Sequence, residues 1–591
     1  MIRIRTLPWP FLNKVACLFA LGAVLACSND GEGDPAEIVE PASTWTLPDQ
    51  IDIQDPAQPI VVLDVVEPFT EEVADRLLSF GAELAWRDFD KAYEYLSEDF
   101  AGHSLHGLAE TESRTLHLDA SERTFNAAMS PIQDRDDFID GLEDLLGGYE
   151  RIELVLWKVK GAEFESGKDR WGKVHLKISM IGSLVGGGRE HWTAWADARV
   201  EKRGGNWLVT RIQLESCVVE TLVLEPFDDV SGAVGVAHLG TRFGKPGNVD
   251  DAWNGIAGVD VNEDGRWDVF LPSSPRNFLY VMGGDGTFNE EAQERGLAQP
   301  SDGTGAVFFD FDLDGDQDLF VGQRAWPDEK GNWQGKPLDF YENVGKGQFE
   351  HASERFGLSD QFRMAFSVTV FDYDNDGWLD VFVCGYGRAA SEINNDWIEA
   401  DNGGKNSLFR NVGGKRFVDV AGDLGIAGSS WSYASAAADY DRDGDTDLYV
   451  ANDYGTNRLW RNDGGKFVDV ALELGVRDQG NGMGAAWGDL NCDGRLDLYV
   501  SNMSSTAGNR ILNRLGNTIA PAVMAQLKKA AAGNTVFLAS EAGKFTKQPK
   551  SAGGVAANWA WSVALSDLDL DGCLDVFCVN GFVTGDTLFD T

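Results

Sequence analysis

The chain has 591 residues, 95 acidic against 50 basic side chains, and a formal charge of −45. That length holds more than one domain, at about 100–200 residues each, and an aromatic content of 11% sets it apart from disordered acidic chains, which lack the apolar surface to fold. Nucleic acid is excluded as a partner class, because binding it rests on neutralising phosphates with Lys and Arg.

Residues 1–27 predict a targeting segment. Arg3, Arg5 and Lys14 give a positive start without an acidic residue, and residues 15–26 form an apolar run shorter than the roughly 20 residues a bilayer span needs. The run ends Val24-Leu25-Ala26-Cys27, which resembles a bacterial lipoprotein box. The resemblance implies that Cys27 becomes the lipidated first residue and, with Ser28 beside it, that the protein is anchored in the outer membrane of a Gram-negative cell; ordinary secretion is the alternative. Cys217, Cys384, Cys492, Cys573 and Cys578 remain, an odd and scattered set from which no disulfide framework and no Cys-x-x-Cys chemistry is expected.

Residues 28–66 read as an acidic tether, with a short strand within 60–66. Residues 67–217 change character. Thr70-Glu71-Glu72 ahead of Val73, Leu77, Leu78, Leu84 and Trp86 predicts a capped amphipathic helix, followed by helices at 92–96 and 137–146. Strands follow at 152–160, 173–181, 191–201 and 207–215, the last two joined by the turn Arg203-Gly204-Gly205-Asn206. Helices first and an antiparallel sheet after make an α+β domain. This order, with Arg199-Val200-Glu201-Lys202 turning into Trp207-Leu208-Val209, resembles the nuclear-transport-factor-two-like (SnoaL-like) family. The resemblance implies a small cone-shaped domain that often carries a pocket, in some members catalytic through an Asp base or a His–Asp pair. Here the candidates are His103, His106, His175, His191 and Asp197, and the expected role is a spacer or ligand-holding domain.

From residue 218 to 591 the chain repeats at roughly 50–80 residues, the spacing of propeller blades. Each unit has a turn ending in Phe (Phe288, Phe349, Phe417, Phe467, Phe545), a strand of small residues such as Ser435-Ala436-Ala437-Ala438, and a nine-residue acidic loop leading into a strand. The loop occurs six times. Its oxygen-bearing positions one, three, five and nine are Asp260, Asn262, Asp264 and Asp268 in the first copy, and Asp310, Asp312, Asp314 and Asp318 in the second. They are Asp372, Asp374, Asp376 and Asp380 in the third, and Asp439, Asp441, Asp443 and Asp447 in the fourth. The last two copies have Asp489, Asn491, Asp493 and Asp497, then Asp567, Asp569, Asp571 and Asp575.

Gly occupies position six every time. Short carboxylates on alternate residues of a tight turn converge and offer Ca²⁺ oxygens at roughly 2.3–2.6 Å, whereas a plain polar turn needs only one or two such residues. The twelfth position, where an EF-hand places a bidentate Glu, is Leu271, Val321, Val383, Val450, Val500 or Cys578, which removes that alternative. Asn at position three predicts weaker binding in the first and fifth loops.

These repeats resemble the FG-GAP or VCBS repeats of integrin α-subunit and cartilage-acidic-protein-like propellers. The resemblance implies a calcium-loop β-propeller holding up to six Ca²⁺ in a structural role. Residues 218–230 and 559–579 read as two half-units that pair to close six blades, with seven as the alternative. Insertions are expected at 388–405 and 515–532. The expected function is a cell-envelope or secreted adhesion or ligand-binding module whose partner is a protein or glycan at the cell surface. A polysaccharide-active lyase or hydrolase is the second reading, with Trp326, Trp333, Trp397 and Trp431 as candidate sugar platforms, and an envelope-assembly role is the third.

Overall fold

The computed structural model describes residues 63–117, 120–127, 130–164, 171–223, 227, 229–237, 255–274, 276–327, 330–387, 399–504, 521–549, 560–568 and 570–580. The targeting segment, Cys27, the tether up to residue 62, the insertion over 388–398 with Trp397, and Asp569 lie outside the described residues. No helix among the described residues is long and apolar enough to cross a membrane. The described residues fall into two compact units, one ending at Asp228 and one beginning at Asp229.

The first unit starts with helix α1 (Leu63–Ala85). Val73, Leu77, Phe80 and Leu84 recur every three or four residues, the period of one helix face, and are at most 1% exposed. Thr70 lies inside the helix and is buried, so it is no cap, and residues 63–66 are helical where a strand was expected. Trp86 falls past the helix end and is exposed. Where a second helix was expected over 92–96, the short helix α2 (Phe89–Ala92) gives way to a 3₁₀ turn at Tyr93–Tyr95. Helix α3 (Arg135–Gly147) holds the third predicted helix and is capped by the Asp134 side chain, which accepts the Asp137 N–H.

The sheet of this unit has eight strands: β1 (Leu96–His103), β2 (Glu110–His117), β3 (Ala120–Phe125), β4 (Ile132–Gln133), β5 (Tyr149–Phe164), β6 (Trp171–Leu184), β7 (Arg189–Arg203) and β8 (Asn206–Leu222). Its main order is β2-β3-β8-β7-β6-β5, with β1 parallel to β8 and β4 antiparallel to β1. The four predicted strands are all present and longer than expected. One consequence is a correction: Val218–Leu222 continue β8 and are not the start of a repeat. They continue it because Cys217 and Val219 extend the buried row of Ile212 and Leu214.

One face of the sheet and α1 enclose an apolar core that includes Trp157, Leu176, Ile178, Ala196 and Val200, each at most 1% exposed. Large apolar side chains therefore fill the space between the sheet and the helix.

The second unit is a row of antiparallel sheets, each a simple meander from inner to outer strand. Five have four strands, and their inner strands are Ala257–Val259, Gly303–Phe309, Ala365–Phe371, Ser432–Ala438 and Gly482–Gly488. A sixth, two-stranded sheet pairs Ala560–Ser566 with Asp575–Asn580. Each inner strand packs against the inner strand of the next sheet, the radial stacking of propeller blades. Small residues such as Ala436 and Gly484 permit that approach, while phenylalanines fill the wedge between blades, as Phe311, Phe340, Phe356 and Phe417 do in one cluster.

The outer strands Phe288–Glu290, Phe349–His351 and Phe467–Asp469 lead into turns whose Gly296, Gly357 and Gly475 approach the next blade. Gly296 and Gly357 have φ of +82° and +84°. A Cβ on Gly296 would meet the Phe349 carbonyl oxygen at 2.2 Å, and Phe349 donates its N–H to Arg295 O at 2.9 Å. The same turn stands at Ser231–Val234 with Gly235 against Phe288. The expected first half-unit therefore contributes its turn but, among the described residues, no strand, and its pairing with the last sheet is not seen. Within the second expected insertion lies the helix Pro521–Ala530. Trp431 is buried, at 7% exposure, while Trp333 is exposed on a short hairpin, Ala325–Pro327 with Trp333–Gly335.

Candidate metal centres

All six acidic loops fold alike. Position six is Gly at φ between +80° and +98°, and position four is a non-Gly residue at φ near +60° in every copy: Glu263, Leu313, Asn375, Arg442, Cys492 and Leu570. The carboxylate at position one accepts the N–H groups of positions five and six, as Asp439 does from Asp443 and Gly444, both at 3.1 Å. The carboxylate at position five accepts the N–H of position seven, as Asp443 does from Asp445 at 2.9 Å.

Position nine is different in kind. Asp268, Asp318, Asp380, Asp447 and Asp497 are at most 2% exposed. Each accepts one N–H from position two of its own loop and a second from the third strand of the blade, as Asp447 does from Tyr440 at 3.2 Å and Asn462 at 2.8 Å. This carboxylate ties loop and blade together.

In three loops the structure brings positions one, three and nine together. The triplets Asp310–Asp312–Asp318, Asp372–Asp374–Asp380 and Asp439–Asp441–Asp447 each offer carboxylate oxygens within 4.8 Å of one another. Burial pushes Asp318, Asp380 and Asp447 up to about 7 despite their backbone donors, and the neighbouring loop carboxylates add to the rise. Burial also raises Asp312, Asp374 and Asp441. Convergent carboxylates that resist ionisation are a donor set short of positive charge, and hard oxygen donors in this number fit Ca²⁺.

The two loops with Asn at position three differ electrostatically. The amide oxygens of Asn262 and Asn491 accept the N–H of position five. Each of these loops also has Arg at position seven, and Arg266 and Arg495 pair with the position-five carboxylates Asp264 and Asp493. A cation from the chain thus already stands beside two carboxylate loops that have one acid fewer. In the third loop Arg410 bridges Asp374 at 2.8 Å and Asp376 at 3.0 Å. In the sixth, Asp567 and Asp571 make the same backbone contacts as their counterparts, and Asp575 accepts the position-two N–H of Leu568.

Neighbouring loops are linked through position four. Asn375 donates to Asp445 Oδ1 at 2.7 Å, Arg442 donates to the Gly494 carbonyl, and Cys492 forms a disulfide with Cys573. Sequence counting pointed away from a disulfide. The signal lay in the repeat register: Cys492 and Cys573 hold positions four and seven of consecutive loops, the same two positions that Asn375 and Asp445 hold.

Of the five candidates in the first unit, His175 and Asp197 meet, Nδ1 to Oδ1 at 3.0 Å. They lie on the sheet face turned away from the apolar core. His191 pairs instead with Glu220 at 3.2 Å, and burial lowers the pKa of His103. In the second unit Asp339 and Ser353 both approach Nε2 of His351, at 2.9 and 3.1 Å. A nucleophile relay needs the acid and the hydroxyl on opposite ring nitrogens, so this cluster is not one.

The FG-GAP-like repeat family matches residues 260–321, 331–383, 394–450 and 439–500. Cartilage acidic protein 1 of Homo sapiens is 32% identical over 123 residues, a match spanning 20% of this chain and 17% of the human protein. Among solved structures, a lectin of Agrocybe aegerita that recognises non-reducing terminal N-acetylglucosamine aligns over 55% of this chain and 74% of its own, at 16% identity and a TM-score of 0.30. A proposed scytalone dehydratase of Novosphingobium aromaticivorans aligns over 28% of this chain and 91% of its own, at 11% identity and a TM-score of 0.19. The matched residues contain the first five acidic loops and the strands that follow them, and over these residues the chain is similar to FG-GAP-like repeats.

Proposed function

We propose that this chain is an exported binding module whose blades are stapled by Ca²⁺ in the acidic loops and whose partner is a protein or glycan at the cell surface. The observation that carries the metal reading is the convergence of positions one, three and nine within 4.8 Å in three loops. Asp310, Asp312 and Asp318, with their counterparts in the other copies, would hold the ion. Its role is to neutralise clustered carboxylates and fix the loop between two strands. Because the loop carboxylates are committed to backbone N–H groups and to one another, partner binding is assigned to other surfaces. Cys27 supplies a lipid anchor in this reading, and the acidic tether holds the folded units off the membrane.

Calorimetric titration of the chain from Ser28 onward with Ca²⁺, followed by melting with and without metal, tests the proposal. Several bound ions and a raised melting temperature support it; no binding means that the loops are only turns. A glycan array probed with the metal-loaded protein then separates a glycan partner from a protein one.

A further inference from the structure

Away from the acidic loops, three metal-ligating side chains of the first unit meet on neighbouring strands. His175 on β6 and Asp197 on β7 are direct cross-strand partners. Glu215 comes to them from β8, its Oε2 3.8 Å from His175 Nδ1. A bulge brings it there: Trp195 pairs with Ser216 and Ala196 with Leu214, which leaves Glu215 as the extra residue. Bulges re-aim a side chain in this way. One ligand atom from each of the three lies within 4.8 Å of the others.

The geometry points to a divalent transition-metal site, of the zinc class, made by His175 Nδ1, Asp197 Oδ1 and Glu215 Oε2. Tetrahedral zinc with bonds of about 2.0–2.2 Å sets its ligand atoms about 3.3 Å apart. The two separations from His175, 3.0 and 3.8 Å, straddle that value, and the carboxylate oxygens of Asp197 and Glu215 lie within 4.8 Å of each other. An imidazole among the donors favours a transition cation over calcium. Lys173 Nζ holds the other carboxylate oxygen, Oδ2 of Asp197, at 2.8 Å, so it orients the ligand without taking the ligating atom. The ring of Trp195 stacks on His175 with centroids 5.2 Å apart and fixes the imidazole plane. The side chains of His175 and Glu215 are 39% and 33% exposed, which lets an ion enter and leaves its fourth position to water.

Zn²⁺ titration of the full chain in millimolar Ca²⁺, which keeps the acidic loops filled, tests the site. One Zn²⁺ per chain that Ca²⁺ does not displace is expected, with affinity falling at least tenfold in His175→Ala and in Glu215→Gln. The Glu215→Gln variant, at a part-exposed bulge, decides the matter if His175→Ala fails to fold. Zn²⁺ binding of the same stoichiometry and affinity in Glu215→Gln overturns the assignment, as does the absence of any Ca²⁺-resistant Zn²⁺ in the parent. Loss of Ca²⁺ binding at the loops leaves this result unaffected, because the two sites share no residue.

Discussion

At the scale of single residues, the positions of one loop have separable duties. Asp447 is buried and holds two backbone N–H groups, and leaving buried donors unpaired costs about 1–3 kcal/mol each. Asp447→Ala is therefore expected to destabilise the second unit by roughly 2–5 kcal/mol even in chelator, whereas Asp441→Asn, at position three, should chiefly weaken Ca²⁺; calorimetry and melting of both variants separate the effects. Gly444 has φ of +95° with open space around it. Gly444→Ala should thus cost about 1–3 kcal/mol through backbone strain alone, a loss that chemical denaturation would register. Asp453 is a third case. Burial raises its pKa to about 6, while the Tyr386 hydroxyl donates to it. A carboxyl raised above its unfolded value near 3.9 holds its proton better in the folded state. Stability is then greatest below pH 4, falls as pH rises to about 6, and stays level above. Asp453→Asn is expected to raise stability at pH 7 by roughly 3 kcal/mol and to do little at pH 4, as paired melts would show.

Elements show what a sequence exposes and what it withholds. The acidic loops were legible because their ligand spacing is local, and the meander strands because each copy repeats the same buried second strand, such as Asp380–Gly385. β2 and β3 were missed because Glu110-Thr111-Glu112-Ser113-Arg114 carries no apolar alternation. The meeting of His175 with Asp197 depends on cross-strand register, and that of Glu215 on a bulge, neither of which leaves a local pattern. The end of β8 was misread because Val218–Leu222 can serve a blade or the first sheet equally well on hydropathy. Two predictions belong to this scale. Gly296→Ala must displace the Phe349 backbone, 2.2 Å from the new Cβ, and is expected to destabilise the second unit more than Gly444→Ala does. The disulfide between Cys492 and Cys573 closes a separation of 81 residues, for which chain-entropy arguments give about 4.5 kcal/mol. Cys492→Ser, or dithiothreitol on the parent, should lower the melting temperature of the second unit, and calorimetry with and without reductant checks it.

For the whole molecule, the formal charge of −45 is concentrated in part in the loops. Six bound Ca²⁺ would offset up to twelve of those charges, so chelation is expected to lower the melting temperature markedly, and added monovalent salt to restore part of it by screening. A scan in excess chelator at low and high ionic strength gives both readings. The filling order is expected to follow local charge. The Asp310 and Asp439 loops, with four ligand-position carboxylates and an extra Asp at position seven, should load first; the Asp260 and Asp489 loops, with Asn and an internal Arg, last.

The contacts from position four run one way along the chain. Asn375 leans on the loop that follows it, Arg442 on the next, and Cys492 on the last. The arrangement behaves like a line of climbers on one rope, because each link is shared by the two loops it joins. A loop that loses its shape loosens the neighbour on either side, so disorder begun near Asp567 or near Asp372 would cross the same three links. The sulfur bond, the covalent one of the three, secures the last loop to the loop before it.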